Sequence, residues 1–178
     1  MTEPSIGSEQ MDKAKPCAAI SEDDSAVVRE GDGGSGDATF PNTLEESLGI
    51  VYTVEEKGRV EGLLPVTDLL LQGDRYARGV VSSVLLESVA SRGATLIYDL
   101  EIERPFGVEA RFSHKKALSP GVLKAVAELA RVEGDKSFWN VSAWDEQGDA
   151  VSVGEFVCKT VSIERLIERG LVSPEPNG

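Results

Sequence analysis

One carboxylate stands apart from the other charges of this chain. From Gly79 to Ser91 the sequence holds a single charged residue, Glu87, among Val, Leu, Ser and Ala. On a helix, its neighbours three and four residues away would be serine, valine and alanine, with no cation among them. A buried carboxylate without a partner is costly, so Glu87 is either a catalytic group or a helix-edge residue that faces water. Ser91, one turn further on, is placed to hydrogen-bond a water held by Glu87, although serines also fill tight helix contacts.

A helix is required to position these residues. The run from Gly79 to Ser91 predicts one, and Arg92-Gly93 supplies the basic last turn and the glycine that end many helices. Because this helix would be apolar nearly all round, we expect it to be buried. The flanking sequences predict strands, so the fold class is α+β, with an antiparallel sheet wrapped around one long central helix.

A family resemblance is carried by the stretch Val66-Thr-Asp-Leu-Leu-Leu-Gln-Gly-Asp-Arg-Tyr-Ala-Arg-Gly-Val80 and the glutamate nine residues after Arg78. It resembles the helix signature of hotdog-fold acyl-CoA thioesterases, within them the PaaI-like and Arthrobacter-type 4-hydroxybenzoyl-CoA thioesterase subgroup. The resemblance runs from about Leu48 to Val161. It implies the hotdog fold and hydrolysis of the thioester of a small acyl-CoA, either aromatic or of short or medium chain.

The resemblance also implies a role for each of four residues. The family's activating glutamine falls on Gln72, its amide-donating glycine on Gly79, its catalytic carboxylate on Glu87 and its small hydroxyl residue on Ser91. Gln72 and Gly79 would polarise the thioester carbonyl. Glu87 would attack it or activate water, with Ser91 positioning that water.

The start of the helix departs from the family pattern. The family usually carries His-Gly-Gly where this chain has Arg78-Gly79-Val80, and Trp-Gly where it has Asp74-Arg75. Arg78, a large cation at the mouth of the acyl pocket, would either block acyl groups or select an acyl chain that carries a carboxylate. The alternative to a thioesterase is therefore a non-catalytic hotdog dimer that binds an acyl or aromatic ligand.

The spacing of Gly79 and Glu87 bears on assembly. Eight residues of helix place them about 12 Å apart along the axis, so both cannot reach one carbonyl from the same helix. If both act, they come from two antiparallel helices across a two-fold interface. The resemblance implies the same arrangement, a homodimer and often a dimer of dimers. The coenzyme A phosphates are expected to meet lysines on the strands, Lys115, Lys116, Lys136 or Lys159, although these could equally be solvated strand ends.

The composition of the chain argues against several other classes of function. A chain of 178 residues with a net charge of −13 predicts one domain and argues against nucleic acid and anionic membranes as partners. No apolar run approaches about 18 residues, so no membrane span is expected. Cys17 and Cys158 lack the spacing of a metal site or a redox pair, and the N-terminus lacks the features of a signal peptide. We therefore expect a cytoplasmic protein with no metal and no cofactor, coenzyme A entering only as part of the substrate.

Along the chain, residues 1–41 predict a disordered acidic tail, residues 42–172 the hotdog domain and residues 173–178 a flexible C-terminus. Asn42 or Thr43 is expected to cap a short helix ended by Gly49. The remaining pattern predicts a hairpin, the long helix, further strands and a last short helix. The strands are predicted at residues 50–56, 59–66, 94–98, 108–117, 122–132, 136–144 and 150–161, and the last helix at residues 163–169.

His114 is the only histidine and follows a strand pattern. Catalysis by a serine and a histidine would require a suitable serine beside it, and nothing in the sequence places the two together. A polar strand position is the simpler interpretation. The lone histidine also disfavours the hotdog dehydratases, which need one beside their acid.

Overall fold

The computed structural model describes residues 43–73 and 75–173. A six-stranded, entirely antiparallel sheet packs against one long helix, α2. The elements in chain order are α1 (Leu44–Leu48), β1 (Val51–Glu56), β2 (Arg59–Val66), a 3₁₀ turn (Asp68–Leu70), α2 (Gly79–Ile97), β3 (Glu103–His114), β4 (Gly121–Glu133), β5 (Lys136–Trp144), β6 (Ala150–Ser162) and α3 (Ile163–Glu168). The strand order is β1-β2-β4-β5-β6-β3, so β1 and β3 are the edges. The predicted antiparallel sheet around one helix is confirmed.

Local signals set most element ends. The Thr43 side chain accepts a hydrogen bond from the Glu46 N–H at 3.2 Å and caps α1, which ends at Gly49 with a left-handed φ of 71°. Ser162 caps α3 by accepting from the Arg165 N–H at 3.3 Å. Side-chain caps of this kind satisfy backbone donors that a helix start leaves unpaired. The predicted tail, Asn42 and residues 174–178 lie outside the described residues.

The end of the long helix differs from the prediction. Gly93 does not terminate α2, and residues 94–97, predicted as a strand, form its last turn. A Cβ on Gly93 would lie 2.6 Å from the ring of Trp139, which is fully buried. Gly93 is therefore a packing glycine, and the helix continues to Ile97 beneath the sheet.

The next strand also differs from the prediction. β3 begins at Glu103 and ends at His114, whereas the sequence pattern placed the strand at residues 108–117. Gly107 allows this early start, because a Cβ there would lie 2.5 Å from the Phe156 ring on β6. β3 can therefore pair with β6 through residues 103–107, which lie outside the predicted strands.

Only one side of α2 is buried. Leu85, Leu86 and Val89 have no exposed surface and form the core with the strands. Val80 is 60% exposed and Glu87 is exposed, so the expectation of a helix buried all round is wrong for a single chain. By length and composition α2 is apolar enough to cross a membrane, whereas no membrane span was expected from the sequence. Its packing on the sheet accounts for that apolarity, since the core helices of globular domains have the same composition.

Candidate active site

A cavity of about 310 Å³ opens at the N-terminal end of α2. Four predicted site residues line it: Arg78, Gly79, Lys115 and Lys116. Two chain segments meet here, because the Ala77 N–H donates to the Leu118 carbonyl at 2.8 Å. This bridge joins the residues before α2 to those after β3. The other lining residues are Ala77, Ser82, His114, Ala117, Leu118 and Val151.

Gly79 is the first residue of α2, and the His114 ring lies against it. A Cβ on Gly79 would be 2.7 Å from His114 Nε2 and 2.9 Å from Cδ2, which is closer than any side chain tolerates. The helix-start glycine therefore has a steric reason besides its predicted role as an amide donor. The Arg78 side chain makes no capping hydrogen bond to the first turn. The first N–H groups of a helix have no intrahelical partner and carry the positive end of its dipole.

His114 belongs to a hydrogen-bonded cluster with two buried serines. Its Nδ1 lies 2.8 Å from Ser152 Oγ and 3.3 Å from Ser82 Oγ, and the two hydroxyl oxygens are 2.8 Å apart. Ser82 donates its only hydroxyl hydrogen to the Gly79 carbonyl at 2.9 Å. Ser152 must then donate to Ser82, and His114 Nδ1–H to Ser152, if every contact is a hydrogen bond. In a neutral ring this order leaves Nε2, the atom beside Gly79, as an acceptor.

This cluster is what the sequence analysis missed. His114 is a polar strand position, as interpreted, but it also lines the cavity with Ser82 and lies within hydrogen-bond distance of the buried Ser152. Antiparallel pairing sets His114 opposite Ser152, and α2 carries Ser82 to the same point. No local pattern in the sequence connects these three residues.

Glu87 lies two turns into α2 on the open face of the helix. It is exposed, and among the described residues no hydrogen bond or ion pair engages its carboxylate. The pKa of the Cys158 thiol on β6 is raised to about 12, first by burial and then by the negative charge of Glu87. Glu87 therefore lies toward the β6 side of the helix. Ser91 follows one turn later and is half-buried.

Arg92 marks the opposite side of α2. Its guanidinium forms an ion pair with Glu55 on β1 and lies 5.9 Å from the centre of the Tyr52 ring. The open face that carries Glu87 and Ser91 is thus turned away from this cation. Within one chain, about 12 Å of helix axis separates Glu87 from Gly79.

Gln72 lies in the loop that leads to α2. Its N–H donates to the Tyr76 carbonyl at 2.9 Å, and its carbonyl accepts from the Arg75 N–H at 2.9 Å. The side chain is exposed, and its amide makes no hydrogen bond within the described part of the chain. The loop backbone is therefore held in place while the amide is available to a ligand.

The predicted lysines do not form one group. Lys116 is held by Asp145 and Asp149 at 2.5 and 2.7 Å, and hydrogen bonds to these carboxylates raise its pKa. Lys115 lines the cavity and has no ion-pair partner among the described residues.

Two of the predicted lysines lie elsewhere in the sheet. Lys136 pairs in register with Lys159, and Lys159 forms a 3.0 Å ion pair with Asp135. Lys159 lies seven residues along β6 from Ser152, roughly 23 Å at about 3.3 Å per residue. Lys136 and Lys159 are therefore outside the cavity.

Comparison with known proteins finds relatives named as thioesterases, a CoA hydrolase and putative esterases. The chain is 33% identical to the 1,4-dihydroxy-2-naphthoyl-CoA hydrolase of Listeria monocytogenes, over 58% of this chain and 83% of that protein. It is 30% identical to the proofreading thioesterase EntH of Cronobacter sakazakii, over 62% of this chain and 80% of the relative. No protein-family model matches. A crystal structure of a variant thioesterase from Pseudomonas aeruginosa superposes with a TM-score of 0.65 at 21% identity, covering 68% of this chain and 88% of the other. At that identity the likeness establishes the fold.

Proposed function

This chain belongs to the hotdog-fold thioesterases and is a thioester hydrolase, and we propose that its substrate is the coenzyme A thioester of a small acyl group. The two curated relatives support this substrate, since one is named for a CoA thioester and the other as a thioesterase. The cavity supports a small acyl group, because its 310 Å³ lies at the lower end of the range for ligand pockets.

The observation that carries the mechanism is the placement of Glu87. An exposed carboxylate without a partner among the described residues stands on an otherwise apolar and small-residue helix face. In the proposed reaction, Glu87 removes a proton from a water that attacks the thioester carbonyl, or attacks the carbonyl itself. In both routes the C–S bond breaks and coenzyme A leaves as a thiolate that takes up a proton. In the second route water then hydrolyses the anhydride between the acyl group and Glu87. The Gly79 N–H and the Gln72 amide donate hydrogen bonds to the carbonyl oxygen as it becomes negative. Ser91, one turn beyond Glu87, holds the water.

We propose that each site is shared between two chains. The separation of Gly79 and Glu87 requires it if both act, and the surface of the chain supports it. β3 is an edge strand of the described sheet and pairs there with β6 alone, and its residues Phe106 and Val108 are 46% and 53% exposed. A long unpaired edge with apolar side chains favours pairing with a second strand. Pairing of β3 with a second β3 would join two sheets and bring the open faces of two α2 helices together.

The test is the hydrolysis of acyl-CoAs by Glu87→Gln. This change keeps the shape and removes the charge, so turnover should fall by at least about 10²-fold while KM changes little. Ser91→Ala should lower turnover less than Glu87→Gln does. Glu101→Gln, which neutralises an exposed carboxylate in the turn before β3, is the matched control and should leave both constants unchanged.

The wild-type assay would cover aromatic, short, long and dicarboxylic acyl-CoAs. If Glu87→Gln hydrolyses its best substrate as fast as the wild type, the role assigned to this carboxylate is wrong. If the wild type hydrolyses none and binds an aromatic acyl-CoA, the protein is a ligand-binding dimer.

A further inference from the structure

We propose that the cavity at the start of α2 binds an anionic acyl group, so that the preferred substrates are coenzyme A thioesters of short dicarboxylic acids. The inference rests on the proposed function, because it takes the Gly79 amide as the binding point of the thioester carbonyl. Arg78 and Lys115 line the cavity beside Gly79. No carboxylate lines it within the described residues, although acidic residues outnumber basic ones by 31 to 18 in the sequence.

The described residues give Arg78 no polar contact that would explain its presence at the start of α2. Its side chain is exposed, makes no capping hydrogen bond and forms no ion pair within residues 43–73 and 75–173. A cation at this position adds to the positive end of the helix dipole, where Ser, Thr, Asp or Asn is usual. A residue that departs from the usual preference at a helix start, with no contact that compensates for it, is expected at a functional site.

Within the part of the chain that the structure describes, Arg78 and Lys115 are the cavity cations without an ion-pair partner, and they favour a carboxylate as the bound anion. Lys116 is already neutralised by Asp145 and Asp149, whereas Arg78 and Lys115 are not. A guanidinium matches a carboxylate with two parallel hydrogen bonds, and the lysine adds a second positive charge.

The position of Arg78 assigns this anion to the acyl group rather than to coenzyme A. Arg78 and Gly79 are adjacent, with Cα atoms about 3.8 Å apart, and both line the cavity, so the guanidinium can reach the far end of a short acyl chain whose carbonyl is bound at Gly79. The phosphates of coenzyme A are separated from the thioester sulfur by the whole pantetheine arm. An anion bound beside Gly79 is therefore the far end of a short acyl chain.

The test compares glutaryl-CoA with valeryl-CoA, whose acyl chains have equal length and end in a carboxylate and a methyl group. For the wild type, kcat/KM should be at least about tenfold higher for glutaryl-CoA. Arg78→Gln should lower the ratio of the two values by about 10- to 100-fold, almost entirely through glutaryl-CoA. Arg78→Lys should retain part of the preference, and Lys115→Gln should lower it less than Arg78→Gln.

Arg75→Gln is the matched control. It removes the same charge from an exposed arginine three residues away that does not line the cavity, so the ratio should stay at the wild-type value. Thermal melting of each variant shows whether it is folded before the rates are compared.

Each other outcome overturns the inference in a recognisable way. A wild type that hydrolyses valeryl-CoA or benzoyl-CoA at least as well as glutaryl-CoA refutes the anionic acyl group and leaves the thioesterase proposal standing. If Arg78→Gln and Arg75→Gln lower the ratio of kcat/KM for glutaryl-CoA to kcat/KM for valeryl-CoA equally, the preference depends on the overall charge of the protein and not on Arg78. A wild type that hydrolyses none of the three removes the proposed function, and this inference with it.

Discussion

Mixing two inactive variants tests whether two chains share each site. Glu87→Gln removes the carboxylate, and Gly79→Pro removes the N–H that is proposed to bind the oxyanion. Proline is tolerated at the first position of a helix because its φ suits that position and the missing N–H has no intrahelical partner. Each homodimer should be at least about 10²-fold slower than the wild type, as expected for loss of a general base or an oxyanion donor.

The size of the recovery follows from the geometry of α2. Gly79 and Glu87 of one chain are about 12 Å apart along the helix, so each site would take one residue from each chain. In a mixed dimer one site has wild-type Gly79 and Glu87, and the other has neither. Random reassortment makes about half of the dimers mixed, so the rate per chain should rise to about a quarter of the wild-type rate.

The structure supplies the control that this experiment requires. A Cβ at position 79 would lie 2.7 Å from His114 Nε2, so proline disturbs the His114 ring besides removing the N–H. Gly79→Ala adds the same Cβ and keeps the N–H. The difference between the alanine and proline variants therefore separates the loss of the donor from the effect of the added Cβ.

The assay is acyl-CoA hydrolysis after the two variants have been unfolded together and refolded, with mass spectrometry to count mixed dimers. If mixed dimers form and the rate stays at the level of the parents, the shared site is refuted. A fully active monomer in sedimentation would refute it as well.

Three further predictions concern stability and accessibility. Gly93→Ala should lower the free energy of unfolding by about 1–2 kcal/mol, since crowding of the Trp139 ring outweighs a gain of about 1 kcal/mol in helix propensity. Chemical denaturation measures this change, with Gly73→Ala as the control because a Cβ at Gly73 meets no atom within 4 Å. A Gly93→Ala protein more stable than the wild type would contradict the prediction. Cys158, whose thiol pKa burial raises to about 12, should resist thiol reagents at neutral pH until the protein unfolds, when assayed without the other cysteine; rapid labelling of the folded protein would be inconsistent with its burial. Deleting residues 1–41 should leave the melting temperature nearly unchanged, because their composition cannot form a core, and a large drop would show that they pack on the domain.

Features that depend on neighbours in sequence could be predicted. The pattern placed β5 at residues 136–144, as found, because turn residues precede and follow an alternating strand. The end of α1 at Gly49 was also predicted, since a glycine cap requires only a few adjacent residues. The assignment of roles to Gln72, Gly79, Glu87 and Ser91 came from the family resemblance of a continuous stretch and stays a prediction.

Features that depend on distant contacts were decided only by the tertiary structure. A glycine after an arginine resembles a helix end, and only the Trp139 ring against Gly93 shows that the helix must continue there. His114 reaches Gly79 and Ser82 because antiparallel pairing of β3 with β6 and the packing of α2 bring three separate segments together. The pairing register and helix packing that create this contact are properties of the folded chain, so the cavity wall had no signature in any single stretch of sequence.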